Sequence, residues 1–173
     1  MRNLIIGIVI IIVSAHSLKL YSQEFSVQQG GHCFTLEIPE YLTKTYQLND
    51  VASLQYMNAL KESYVIVIED SKDHLKEVGT KFIDSEDFLK NFIKDYQIES
   101  TNRKVSKIKN FVSNDFEHSQ VEMSWESDGS ELFMIITAVE TQEHFYKILC
   151  WTLDQYKNDF KSDFKRISQS LKE

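Results

Sequence analysis

Val121-Glu122-Met123-Ser124-Trp125-Glu126-Ser127-Asp128-Gly129-Ser130, followed by Glu131 and the apolar run Leu132-Phe133-Met134-Ile135-Ile136-Thr137-Ala138-Val139, decides the fold. Val121, Met123 and Trp125 alternate with Gln120, Glu122, Ser124 and Glu126, the period of a strand with one buried face. Ser127-Asp128-Gly129-Ser130 marks a hairpin, because Asp-Gly tolerates the positive φ of a tight reversal. Leu132–Val139 is apolar without a break, as a strand covered on both faces must be. Thr141-Gln142-Glu143 reverses the chain again, and Phe145–Thr152 supplies a further strand.

Working outward, Val105, Lys107, Lys109 and Phe111 oppose Ile108 and Val112 in a mixed strand, and Ser113-Asn114-Asp115 turns it into the hairpin, so the second half reads as a four-strand antiparallel meander. Upstream, Phe34, Leu36 and Ile38 alternate with Cys33, Thr35 and Glu37 in a strand over His32–Ile38, stopped by the sole proline, Pro39. Tyr41-Leu42-Thr43 is a loop, and Val51–Met57 is strand-like, with Ala52, Leu54 and Tyr56 on one side. Tyr64-Val65-Ile66-Val67-Ile68 reads as a central strand. Ser71–Gly79 has room for a turn or two of helix closed by Gly79. Asp84 or Ser85 caps a stronger helix with Phe88, Leu89, Phe92, Ile93 and Tyr96 on one stripe. Asp154 is placed to cap a terminal helix whose buried stripe is Tyr156, Phe160, Phe164, Ile167 and Leu171. The fold class is α+β, an antiparallel sheet between helices.

The N-terminus has a different purpose. A single basic residue, Arg2, precedes ten apolar residues, Leu4–Val13, and then Ser14-Ala15-His16-Ser17, a signal-peptide pattern. Ten helical residues span about 15 Å, half the hydrocarbon thickness of a bilayer. Residues 1–22 are therefore read as a leader, cleaved after Ser17 or after Ser22, with an uncleaved anchor as the alternative. Residues 23–173 form one domain, uninterrupted by linker or repeat. A lipoprotein needs its cysteine directly after the apolar core, and Cys33 lies twenty residues past Val13. The expected location is secreted or periplasmic.

After removal of the leader the chain carries 17 basic and 26 acidic side chains over 151 residues, net −9. That balance gives no general attraction for nucleic acid or anionic lipid. Cys33 and Cys150 both meet an oxidising compartment, where they either pair as a disulfide or remain small buried hydrophobes. No Cys-x-x-Cys redox pair is present.

No motif reaches the specificity of a catalytic, cofactor or metal site. The serines lack a Gly-x-Ser-x-Gly elbow, and His32, His74, His118 and His144 are scattered singly, which reads as surface histidines. His32 beside Cys33 becomes a ligand pair only if another ligand comes near. Carboxylates at Glu69, Asp70 and Asp73, or at Asp84, Glu86 and Asp87, lack the glycine and spacing of a calcium loop and read as solvated charge. Arg103, Lys104, Lys107 and Lys109 form the one basic patch against the overall sign, with Lys107 and Lys109 on one strand face. They serve either to protect an edge or to meet an anionic partner. Trp125 and Trp151 sit on apolar strand faces and read as core.

The order of elements resembles the PsbP-like superfamily, which includes the DcrB-type envelope proteins. Phe34-Thr35-Leu36-Glu37-Ile38-Pro39-Glu40-Tyr41 is similar to that family's first strand, which runs into a proline and an aromatic residue. Glu143–Leu149, leading into the terminal helix and ending Phe164-Lys165-Arg166-Ile167-Ser168-Gln169-Ser170-Leu171, is similar to its closing segment, with Leu171 in place of an aromatic residue. The resemblance runs from about Gly31 onward. It implies an α/β/α module that works by binding proteins, with no catalytic residues or cofactors to transfer. The expected function is a non-enzymatic binding or adaptor module of the cell envelope. A carrier of a lipid or other apolar ligand between sheet and helix is the alternative, and it requires an enclosed apolar cavity.

Overall fold

The computed structural model describes residues 24–31 and 33–173, so the leader at 1–22 and His32 lie outside the described residues. Strands β1 (Phe25–Gly30) and β2 (Phe34–Pro39) make an antiparallel ribbon. After β3 (Thr43–Lys44), β4 (Leu54–Asn58) and β5 (Ser63–Ser71) come helices α1 (Lys72–Glu77) and α2 (Ser85–Asp95). Strands β6 (Thr101–Val105), β7 (Lys109–Ser113), β8 (Phe116–Ser127), β9 (Ser130–Glu140) and β10 (His144–Leu153) precede helix α3 (Lys157–Gln169). The main sheet is antiparallel, ordered β3-β4-β5-β10-β9-β8-β6, with β7 also on β8.

Strand alternation sorts the core into two layers. Val65 and Val67 of β5, Phe133 and Ile135 of β9 and Ile148 and Cys150 of β10 face α3 and the β1–β2 ribbon, where they meet Phe34, Leu36, Ile38, Phe160, Phe164 and Ile167. Ile66, Met134, Ile136, Phe145 and Leu149 face the opposite side, under Phe88 and Leu89 of α2. The central strands thus need cover on both faces, and receive it. Asp128 and Gly129, with φ of 50° and 75°, form a two-residue reversal that pairs Ser127 with Ser130. Asp84 caps α2, its Oδ1 accepting from Asp87 N–H at 2.8 Å.

Four local expectations are corrected. β1 did not stand out in the sequence because Ser26-Val27-Gln28-Gln29 is polar and Val27 is exposed; only Phe25 packs against the core. The single mixed strand over 105–112 is two strands broken at 106–108. There Ser106 replaces ladder pairing, its N–H donating to Glu122 O and its Oγ accepting from Glu122 N–H, each at 2.9 Å. Lys107 lies in that break and does not share a strand face with Lys109. Asp154 opens a 3-10 turn, Asp154–Tyr156, while α3 begins at Lys157 without a side-chain cap. The helix ends at Gln169, yet Leu171 beyond it is fully buried, and Lys172 pairs with Thr35 through backbone bonds of 2.7 and 3.1 Å.

Candidate functional site

That C-terminal return brings Glu173 to the upper end of β10. Glu173 Oε1 accepts from the Tyr146 hydroxyl at 2.7 Å and lies 2.7 Å from His144 Nδ1. His144 and Tyr146 share a face of β10 because they are two residues apart, and Tyr146 is the register partner of Glu69 on β5. Cys33, in the turn between β1 and β2, completes the group: its Sγ lies 3.5 Å from Tyr146 Oη and donates to Glu69 Oε2 at 3.4 Å. One ligand atom each from Cys33, His144 and Glu173 fall within 4.8 Å of one another.

The glycines before Cys33 make this approach possible. Gly31 has φ of 54°, and a Cβ there would stand 3.0 Å from Glu69 Oε2. At Gly30 a Cβ would be 2.2 Å from the Phe34 ring.

The electrostatics of the cluster are uneven. Burial raises the Cys33 thiol above its ordinary value, and the neighbouring Glu69 and Glu173 add to the rise against the opposing Tyr146 hydrogen bond. Burial likewise raises the Tyr146 phenol, with Cys33 and Glu173 adding to it. Burial pushes Glu173 upward too, but hydrogen bonds from Tyr146, Thr141 and His144 outweigh it and hold the carboxyl below the usual range. A thiol held protonated between carboxylates is the reverse of an activated nucleophile.

The other sequence candidates separate in space. Cys33 and Cys150 are free thiols, so the pair offered as a disulfide is not joined. Cys150 lies in mid-strand, four residues beyond Tyr146 or about 13 Å along β10, and burial pushes its thiol up to about 12. Alternation along β5 sends Glu69 to Cys33 and Asp70 to the opposite face, where Lys147 meets it at 2.6 Å. Asp73 joins the first turn of α1; Glu86 pairs with Lys90 at 2.6 Å and accepts from Asn110. His118 corrects the surface reading of the histidines: it is 1% exposed, stacked on Phe111, and burial holds its imidazole below the ordinary value.

In the basic patch, Arg103 donates from Nε to Tyr96 O at 3.0 Å and from its guanidinium to Ile93 O, closing the end of α2. Lys104, Lys107 and Lys109 remain exposed along the broken β6–β7 edge. Trp125 is buried, and Trp151 stacks on Tyr64 with ring centroids 5.1 Å apart. A separate cleft of about 480 Å³, open to solvent, is floored by Leu75, Phe82 and Phe145 and rimmed by Lys72, Lys76 and Lys81. It is not the enclosed cavity that the carrier alternative requires. Among the described residues no helix is long and apolar enough to cross a membrane.

Sequence reasoning missed Glu69, Tyr146 and Glu173 as neighbours of Cys33. Positions 33, 69, 144, 146 and 173 carry no spacing motif; only sheet register and the buried Leu171 bring them together.

No protein-family model matches the sequence, and no curated protein matches it. Solved structures do. The cyanobacterial PsbP protein CyanoP from Synechocystis sp. PCC 6803 aligns with a TM-score of 0.63 at 10% identity, covering 89% of this chain and 95% of its own. LpqN of Mycobacterium tuberculosis, involved in cell envelope biogenesis, aligns with a TM-score of 0.59 at 11% identity, covering 86% and 89%. PA94 of Pseudomonas aeruginosa, a protein of unknown function, gives 0.51 at 11% identity over 84% and 94%. At such identities the shared property is architecture, and it extends over nearly the whole of each partner: the chain has the PsbP-like fold.

Proposed function

We propose that this chain is an exported, non-enzymatic module of the cell envelope that acts by docking a partner protein. The observation that carries the reading is the joining of a leader pattern at Leu4–Val13 to a fold shared with LpqN, an envelope-biogenesis protein. The docking edge is the β6–β7 margin, where Lys104, Lys107 and Lys109 stand exposed on a chain of opposite overall sign. A local basic patch on an acidic protein steers an acidic partner surface to one orientation. Arg103 supports this edge from beneath by holding the end of α2.

Reversing the three lysines to glutamate (K104E, K107E, K109E) tests the edge. In capture from envelope extracts, the variant is expected to lose the partner that the parent protein retains, with unchanged thermal stability. Equal recovery by both would overturn the assignment. Elution of a lipid without protein would favour the carrier reading and direct attention to the cleft beside Phe82 and Phe145.

A further inference from the structure

We infer that Cys33, His144 and Glu173, with Glu69 as a fourth donor, form a binding site for a divalent transition metal ion of the zinc type. The site is independent of the docking edge, which lies at the far margin of the sheet beyond β9 and β8.

Three donors, from the β1–β2 turn, the start of β10 and the residues after α3, lie within 4.8 Å of one another, and Glu69 of β5 reaches the Cys33 Sγ from a fourth segment. A tetrahedral ion with bonds of about 2.0–2.3 Å places its ligand atoms about 3.3–3.7 Å apart. The Cys33 Sγ to Glu69 Oε2 separation is already 3.4 Å. The 2.7 Å contact between His144 Nδ1 and Glu173 Oε1 needs to open by only about 0.6 Å. A thiol and an imidazole in the set select zinc, cobalt or nickel over magnesium and calcium, which take oxygen.

The surroundings fit the same purpose. Tyr146, fully buried, donates to Glu173 and orients its carboxylate, the role that outer hydrogen-bond donors play around metal ligands. The missing side chain at Gly31 leaves the space into which the Glu69 carboxylate reaches. Binding breaks the Cys33 S–H bond, sends the proton to solvent and forms a sulfur–metal bond, with no change of oxidation state. Because Glu173 belongs to the C-terminal return, the ion would fasten that segment to the ribbon and the sheet.

The test uses the protein as recovered from cells, stripped by chelator and kept reduced, and titrated with cobalt(II) chloride and then zinc chloride. One cobalt ion per chain is expected, with the sulfur-to-cobalt charge-transfer band and the strong visible absorption of a four-coordinate ion. Cobalt binding should release the thiol proton, and zinc should displace cobalt without further proton release and raise the thermal midpoint of the metal-free protein by about 5–10 °C at a hundredfold excess over Kd. Magnesium chloride should do none of this. C33S should abolish the charge-transfer band, H144Q and E173Q should weaken binding, and Y146F should weaken it about 10–100-fold. H74Q, at an exposed histidine, serves as a control that binds like the parent. Cobalt binding without the sulfur band, binding indifferent to H144Q and E173Q, or no binding above that of C33S would overturn the proposal. If C33S alone fails to fold, the three remaining variants and the magnesium control still decide it.

Discussion

Replacing Leu171 by alanine probes the segment on which the site depends. Leu171 lies two residues past the end of α3, is fully buried and belongs with Phe34, Phe164 and Ile167 to the core layer on the α3 side of the sheet. Leucine-to-alanine changes in cores cost about 2–5 kcal/mol, depending on how far the surroundings collapse. A segment outside the main sheet, held by the Thr35–Lys172 bridge and by side-chain bonds such as Asn114 Nδ2 donating to Leu171 O at 3.0 Å, relaxes more readily than mid-sheet, so about 3 kcal/mol is expected. For a domain of this size that corresponds to a fall of about 6–12 °C in thermal midpoint. Urea unfolding should show the same loss with an unchanged m value. Freeing the segment also removes Glu173 from Tyr146 and uncovers Cys33, so thiol labelling should accelerate. K172A is the control: its side chain is exposed and the bridge is made by backbone atoms, so its effect should stay within about 0.5 kcal/mol. A loss below about 1 kcal/mol in L171A, with unchanged labelling, would refute the docking of this segment.

Three further outcomes can be checked by denaturation. G30A places a Cβ into the Phe34 ring, 2.2 Å away, and should cost about 1–3 kcal/mol through overpacking. D84A removes the acceptor for Asp87 N–H and should cost about 1 kcal/mol, whereas D84S should restore most of it. His118 is held below its ordinary value of 6.5 by burial, so the unfolded chain takes up the proton first and stability should fall as pH drops below about 6.5. H118F should flatten that part of the stability profile; a slope identical to the parent's would remove His118 as its source.

The main sheet was legible because its central strands obey simple rules. Val65–Ile68 and Leu132–Val139 are apolar but for Thr137, whose hydroxyl accepts from Gln120 Nε2 at 2.8 Å, and both lie between two core layers. Asp128-Gly129 announced its reversal through the positive φ at both positions that a tight two-residue connection of this type uses. The stripe from Phe88 to Tyr96 likewise found its layer. What could not be read were features set by partners distant in sequence. β1 is polar and exists because β2 offers a ladder. The break at Ser106 depends on Glu122 across the edge, and the burial of His118 depends on the chain lying over β8. The cysteine cluster is the extreme case: Cys33 and Glu173 are 140 residues apart and meet only after the ribbon, sheet and C-terminal return are in place. Cys150, by contrast, followed its composition and became core.

The central claim is that the exported chain works by docking a protein at its β6–β7 edge. Crosslinking in intact envelopes, with the linked lysines mapped by mass spectrometry and the mass of the recovered chain read in the same experiment, tests it most directly. The account predicts a chain lacking residues 1–17 or 1–22, joined through Lys104, Lys107 or Lys109 to an acidic surface of one stoichiometric partner. A chain retaining Met1, or crosslinks that avoid this edge in favour of the α1–α2 face, would contradict it.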